Sequence, residues 1–333
     1  MELNRQDKAL LQELCTDSRV KTLALASKLQ SSRYKISKRV EELEKQLDIY
    51  YTLDLDYKKL GFSTVHVTYI NFIKKPSERA LEEILGKITA VQLAILTKGD
   101  FELVCFIITK TPIEYSQVEI ALQVLLQAYG ASVRSNEVTL MRHGFIPLSN
   151  GLIEKTEIDD TYKKILLALN TNSRSKLSDV SKSTGISEDL IRYHLAKMER
   201  EGIIKRYTAI VRNTNTKFTV IYFANFSVTE NLQGRVDKER RDTIFANDER
   251  SVINDFQMMF VTTGAEQTFN LATYMDKNYG MEHSVHAHNR IYAADKPEVK
   301  YASVVKTIKG VLPFRNIDVR AHYDGTNFPL EFS

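Results

Sequence analysis

Apolar residues recur at helical spacing in two separate stretches of the chain, and between and after them they recur at strand spacing. Leu10, Leu11 and Leu14 mark the inward face of a helix over Asn4–Cys15, and a second helix covers Thr22–Leu29. After a tight Gln30-Ser31 turn, a third helix opens at Ser32, whose hydroxyl can accept an orphan amide of the first turn. Its apolar residues Ile36, Val40, Leu43 and Leu47 form one stripe along one face. The same plan returns as helices 159–170, 176–184 and 188–201, with a Gly185-Ile186 turn, N-cap Ser187 and C-cap Gly202. A strand, Ile203–Val211, follows and reads as a wing. The short turn between second and third helices is the spacing of a helix-turn-helix.

The two stretches are copies. Leu10-Leu11-Gln12-Glu13-Leu14 with Asp17-Ser18-Arg19 matches Ile165-Leu166-Leu167-Ala168-Leu169 with Asn172-Ser173-Arg174. One ungapped register also places Ser32 on Ser187, Ile36 on Ile191, Val40 on Leu195 and Leu43 on Met198. Chance similarity rarely holds register across three helices.

Each copy leads into β-rich sequence. Phe62–Phe72 is rich in β-branched and aromatic residues, a helix spans 77–88, and Val91–Thr97 and Phe101–Thr109 flank Lys98-Gly99-Asp100. A helix near 113–128 and a strand Arg134–Ile146 complete a ferredoxin-like βαββαβ order. The second half follows with strand 217–229, helix 231–246, strands near 252–263 and 267–275, a longer helical region and strand 315–323. The turn-rich Pro147–Gly151 reads as the linker between halves. The expected fold is therefore α+β: two winged helix-turn-helix domains (1–53 and 155–213), each followed by a ferredoxin-like βαββαβ domain (54–148 and 214–333).

Composition narrows the function. The 333 residues are 43% hydrophobic and 26% charged, ordinary values for a globular protein. No apolar run approaches the roughly 20 residues that cross a bilayer, and the charged N-terminus has no signal core. Cys15 and Cys105 sit among apolar neighbours without CxxC spacing and read as reduced core thiols, so a cytoplasmic location is expected. A net charge of +4 permits nucleic-acid binding without demanding it.

Several local patterns now combine: Leu3–Asp7, Asp17-Ser18-Arg19, Leu25-Ala26-x-x-Leu29, Ser31-Ser32, Arg39-Val40-x-x-Leu43-Glu44 and Leu60-Gly61. Together they resemble the leucine-responsive regulator/AsnC (Lrp/AsnC) family of prokaryotic transcription factors, common in archaea. The resemblance implies winged helix-turn-helix domains joined to βαββαβ ligand-sensing domains. It is strong in the first copy and weaker in the second, where His194 stands for Arg39 and Tyr162 for Asp7.

Helical geometry points the same way. With Ile36, Val40 and Leu43 buried, Tyr34 and Lys38 face outward and Lys35 flanks them. Residues 33–39 carry Arg33, Lys35, Lys38 and Arg39 and no acid. A recognition helix meets bases with its N-terminal residues, and phosphate neutralisation supplies most of the affinity. Double-stranded DNA is the expected partner, read in the major groove, with Ser32 and Tyr34 among the contacts. In the second copy Glu188 and Asp189 open the helix and would repel phosphate. Arg192, Tyr193 and Lys197, with Lys205 and Arg206 on the strand, are expected there to grip the backbone. One chain could build a pseudo-dimer by itself, or two could pair through the sheet domains.

The resemblance also implies an effector pocket near the glycine after the second strand: Gly99, Asp100 and Glu102, and in the second half Gly264 and Gln267. Glu102 and Gln267 stand where the family usually has aspartate, and a plain glycine hairpin turn explains the loop equally well. His283, His286 and His288 with Glu282 do not converge on a helix, so no metal is expected. No phosphate loop, GxSxG or HExxH occurs, so neither a cofactor nor catalysis is expected. Two alternatives stay open: siroheme decarboxylases, which resemble this family in joining the same two domain types, and an architectural protein that coats DNA.

Overall fold

The computed structural model describes residues 5–211, 218–225, 256–263, 268–274 and 298–312. In chain order the helices are α1 (Arg5–Thr16), α2 (Thr22–Lys28), α3 (Arg33–Leu47), α4 (Glu78–Gly86), α5 (Pro112–Leu126), α6 (Asn150–Glu154), α7 (Asp160–Thr171), α8 (Leu177–Thr184) and α9 (Glu188–Arg200). The strands are β1 (Ile49–Leu55), β2 (Thr64–Phe72), β3 (Val91–Gly99), β4 (Leu103–Thr109), β5 (Ala131–His143), β6 (Ile204–Val211), β7 (Phe218–Asn225), β8 (Phe256–Thr262), β9 (Thr268–Tyr274) and β10 (Glu298–Lys309). They sort into two compact units.

The first unit holds α1–α3 with β1 and α7–α9 with β6. The predicted stripe on α3 is buried at Ile36, Val40, Leu43 and Leu47. Ser32 and Ser187 cap their helices by accepting Lys35 N at 3.3 Å and Leu190 N at 3.4 Å. After α9, Gly202 takes a φ of +67°, and Ile203 N donates back to Met198 O at 2.8 Å, closing the helix end.

β1 and β6 pair with each other, antiparallel and centred on Thr52 opposite Thr208. Each strand also packs on the opposite three-helix group, α1 against β6 and α7 against β1, and Ala209 enters the α1–α3 core. Contacts on one side of the ribbon recur on the other. The Ser18 and Ser173 hydroxyls share a hydrogen bond of 2.7 Å. Ser18 N donates to Tyr207 O at 2.9 Å, and Ser173 N to Tyr51 O at 3.3 Å. Thr52 Oγ1 donates to Asn170 O, and Thr208 Oγ1 to Cys15 O. Such a ribbon satisfies backbone amides that an isolated strand would leave bare.

The second unit is a closed barrel of eight antiparallel strands in the order β10-β3-β4-β2-β5-β8-β9-β7. Strands β3-β4-β2-β5, with α4 and α5, have a ferredoxin-like order. Strands β8-β9-β7-β10 repeat that order, and the two sheets are sealed by the β5–β8 and β10–β3 pairings. The last strand of the second half corrects the sequence reading. β10 lies within the stretch read as helical, and the strand expected at 315–323 falls outside the described residues, as does helix 231–246. Lys309 of β10 donates its Nζ to Leu85 O and Ile88 O, both at 2.7 Å, covering carbonyls at the end of α4. Burial there lowers the pKa of its amine.

The Pro147–Gly151 linker is also not loose. Leu148, Leu152 and Ile153 are buried, Ser149 caps α6, and Ser149 N donates to Gln92 Oε1 at 2.6 Å. Cys15 and Cys105 are buried free thiols, and burial pushes the Cys105 thiol up to about 12.

His66 of β2 lies flat on Tyr115 of α5, with ring centroids 3.4 Å apart and planes 10° apart. Burial lowers its imidazole pKa to about 4. Below about 6.5 the unfolded chain binds a proton that the folded chain refuses, so stability is full above that value. It falls as pH drops towards about 4, by about 3 kcal/mol in all. Urea midpoints measured across this window should show the loss in the wild type and a flatter profile in His66→Phe.

Candidate nucleic-acid interface

α3 stands on its buried stripe with its leading turns in solvent. Arg33, Tyr34, Lys35 and Lys38 are exposed, Tyr34 at 76%, and no acidic side chain occupies the first turn. Four polar or cationic side chains therefore project from two turns of a rigid helix, an arrangement that can meet phosphates and base edges together. Ser32 is exposed too, but its hydroxyl is engaged at the cap.

Arg39 departs from the expected set. Its Nε and Nη2 donate to Asp7 Oδ1 and Oδ2 at 2.6 and 2.7 Å, and its Nη1 donates to Glu42 Oε2 at 2.8 Å. Asp7 is 2% exposed, so Arg39 answers a buried charge and ties α1 to α3. The Asp7 bond, then the Glu42 bond, raise the guanidinium pKa above its ordinary value. A group held this way is structural, and it leaves the list of duplex contacts.

On α9, Arg192 and Tyr193 are exposed, Tyr193 at 60%. Lys197 is half-buried, with its amine 5.7 Å from the Tyr162 ring centroid and 3.9 Å from Glu201. Glu188 and Asp189 occupy the first turn, as the sequence indicates.

The wing is the second correction. Ile204–Val211 pairs along its length with β1 rather than forming a hairpin of its own. Arg206 accordingly turns into the ribbon, donating from Nε to Asp54 Oδ2 at 3.0 Å with an 11% exposed side chain. It is not available to grip a backbone. Lys205 remains exposed.

The expected effector loop is also committed internally. Asp100 Oδ2 accepts Tyr301 N at 2.6 Å, and Glu102 Oε2 accepts Phe72 N at 2.8 Å. Gly99 has a φ of +148°, and a Cβ there would collide with Tyr301 O and lie 2.8 Å from Ala302 Cα. The glycine is required by the β3–β10 seam, and both carboxylates stitch strands. Gly264, Gln267 and the Glu282/His283/His286/His288 group lie outside the described residues.

Sequence reasoning missed two arginines. Arg19 lies 4.2 Å from the Tyr207 ring centroid and Arg174 4.9 Å from that of Tyr51, so each three-helix group reaches the other's strand. The recurring Ser-Arg pair, Ser18-Arg19 and Ser173-Arg174, was the available signal. It marked the repeat, but nothing local tells that its partners lie in the other copy.

A family model described as a winged helix-turn-helix DNA-binding domain matches residues 158–205. The HTH-type transcriptional regulator FL11 of Pyrococcus horikoshii is 29% identical over 69 residues, 21% of this chain and 46% of that protein. FL11 of Pyrococcus furiosus is 30% identical over 66 residues, 20% of this chain and 44% of that protein. The chain thus spans about half the length of these curated relatives. Among solved structures, the siroheme decarboxylase NirDL is similar over 96% of this chain and 97% of its own, with a TM-score of 0.58 and 14% identity. That likeness concerns the fold. LrpC of B. subtilis is 23% identical, covering 42% of this chain and 96% of its own at a TM-score of 0.37.

Proposed function

We propose that this Lrp/AsnC-like chain is a DNA-binding transcription regulator whose tandem winged helix-turn-helix domains form a pseudo-dimer within one polypeptide. The observation that carries the reading is the leading half of α3, where Arg33, Lys35 and Lys38 are exposed with no acid among them. Similarity to HTH-type transcriptional regulators of Pyrococcus supports it. α3 is the sequence-reading element. α9, which opens with Glu188 and Asp189, contributes weaker contacts through Tyr193 and Lys197. Unequal helices imply unequal operator half-sites, since a true palindrome needs identical heads. With the effector loop engaged in strand pairing, the βαββαβ barrel is primarily a scaffold.

Binding-site selection with the whole chain, followed by gel shifts, tests the reading. Replacing Arg33 and Lys38 together with alanine should weaken binding on the order of tenfold to a hundredfold and relax the sequence preference of the selected site. The expected selected site is asymmetric. A chain that shifts no duplex at low salt refutes the proposal.

The enzyme reading has one specific observation in its favour, the whole-length fold likeness to siroheme decarboxylase NirDL. Titration with an iron tetrapyrrole separates the two: a stoichiometric new absorbance band without a duplex shift would select the enzyme.

A further inference from the structure

The β1–β6 ribbon is flanked by two clefts that correspond under the repeat yet differ in charge. One, of about 570 Å³, is walled by Arg192, Leu195, Ala196 and Glu199 of α9 and by the segments that open α2 and α8. The other, of about 510 Å³, has Ser37, Val40, Glu41 and Glu44 of α3 at the matching positions. The larger cleft thus has Arg192 for Ser37 and Ala196 for Glu41. It gathers Arg19, Lys21, Arg174, Lys176 and Arg192 against one carboxylate, Glu199. Its volume falls within the range of about 300–1,000 Å³ typical of small-molecule sites.

The arginines are unequally satisfied. Arg174 Nη1 donates to Glu44 Oε1 at 2.9 Å and to the Tyr51 hydroxyl at 3.0 Å. Its counterpart Arg19 makes no such pair with Glu199, whose carboxylate accepts the Tyr207 hydroxyl at 2.6 Å. Arg19 is held in place by its Nε donating to Ser173 O at 2.7 Å and by the Tyr207 ring, yet its Nη2 is buried with no hydrogen-bond partner among the described residues. A cleft lined by Lys21, Lys176 and Arg192 beside a single carboxylate suits an oxyanion, and Arg19 adds its charge from the wall.

We propose that this cleft binds a small phosphate-bearing metabolite. The bound anion bridges the first copy's Arg19–Thr22 segment to the second copy's α8 and α9, and so couples ligand to the setting of the two three-helix groups. The site shares no lining residue with the Gly99 loop or with the exposed leading half of α3.

Calorimetric titration of the full chain with pyrophosphate, at constant ionic strength and without DNA, tests this. One saturable site is expected, weakened about tenfold or more in Arg192→Ser and in Ala196→Glu, because each removes or opposes one charged interaction. Both positions are exposed, so melting temperatures should stay near wild type. The proposal fails if the wild type shows no saturable binding, if sodium chloride at matched ionic strength reproduces the heat, or if neither variant weakens it. It also fails if duplex DNA displaces pyrophosphate competitively while Arg192→Ser loses duplex affinity in parallel, since the cleft would then be part of the DNA-facing surface. The titration contains no DNA, so a chain that ignored duplexes would refute the regulator reading and leave this one standing.

Discussion

Arg39→Ala is expected to destabilise the chain by up to about 3–5 kcal/mol, the range for stranding one partner of a buried ion pair, since Asp7 is buried although Arg39 is 29% exposed. The carboxylate left behind, Asp7, is 2% exposed and would lose both bidentate bonds, at 2.6 and 2.7 Å. The second copy suggests how the cost can be avoided. Tyr162 and His194 occupy the corresponding positions, and their rings meet edge to face with centroids 5.3 Å apart. The Asp-Arg pair of one copy is an aromatic pair in the other, so the two positions exchange together. Asp7→Tyr combined with Arg39→His should therefore recover most of the stability that either change alone removes. Thermal denaturation of the four proteins measures the coupling. If Arg39→Ala melts like the wild type and loses only duplex binding, Arg39 is a DNA contact and the structural assignment is wrong.

Gly99→Ala should break the barrel at the β3–β10 seam. The glycine combines a φ of +148° with a backbone approach in which an added Cβ meets Tyr301 O and lies 2.8 Å from Ala302 Cα. Neither atom belongs to a flexible side chain, so the strands must part. The bonds at stake include Asp100 N to Tyr301 O at 2.8 Å and Tyr301 N to Asp100 Oδ2 at 2.6 Å. A loss of about 3 kcal/mol or more is expected from strain plus lost pairing. Hydrogen exchange would locate it, with amides of β10 and β3 losing protection together while those of α1–α3 keep theirs. Unchanged protection on β10 would mean that the seam tolerates a side chain. The comparison also bears on function: an effector-loop role predicts a ligand-dependent defect, whereas a seam role predicts a defect in the unliganded protein.

Helices α1–α5 and α7–α9 and strands β2–β5 were legible because each is fixed by a short-range pattern, whereas α6 lies in the stretch read as a linker. The stripe Ile36, Val40, Leu43 and Leu47 sets the register of α3, and Ser32 and Ser187 set where α3 and α9 begin. The basic leading half of α3 follows from that register, since burying the stripe exposes Arg33, Tyr34 and Lys38. β10 was not legible. Its residues, Glu298–Lys309, form a strand because the edges of β3 and β7 lie on either side of them, and those edges are remote in sequence.

By itself, then, the sequence determined the helices α1–α3 and α7–α9, a βαββαβ order over residues 64–143, and which face of α3 and of α9 meets solvent. These depend on periodicity, capping and alternation, which act over a few residues. Tertiary structure alone decided which charged side chains stay available. Arg39 went to Asp7, Arg206 to Asp54, Asp100 and Glu102 to strand amides, while Arg19 kept a buried nitrogen without a hydrogen-bond partner among the described residues. The physical reason is range: a cation pairs with whichever carboxylate the fold brings within about 4 Å, and in this chain that carboxylate can be more than a hundred residues away, as for Arg206 and Asp54.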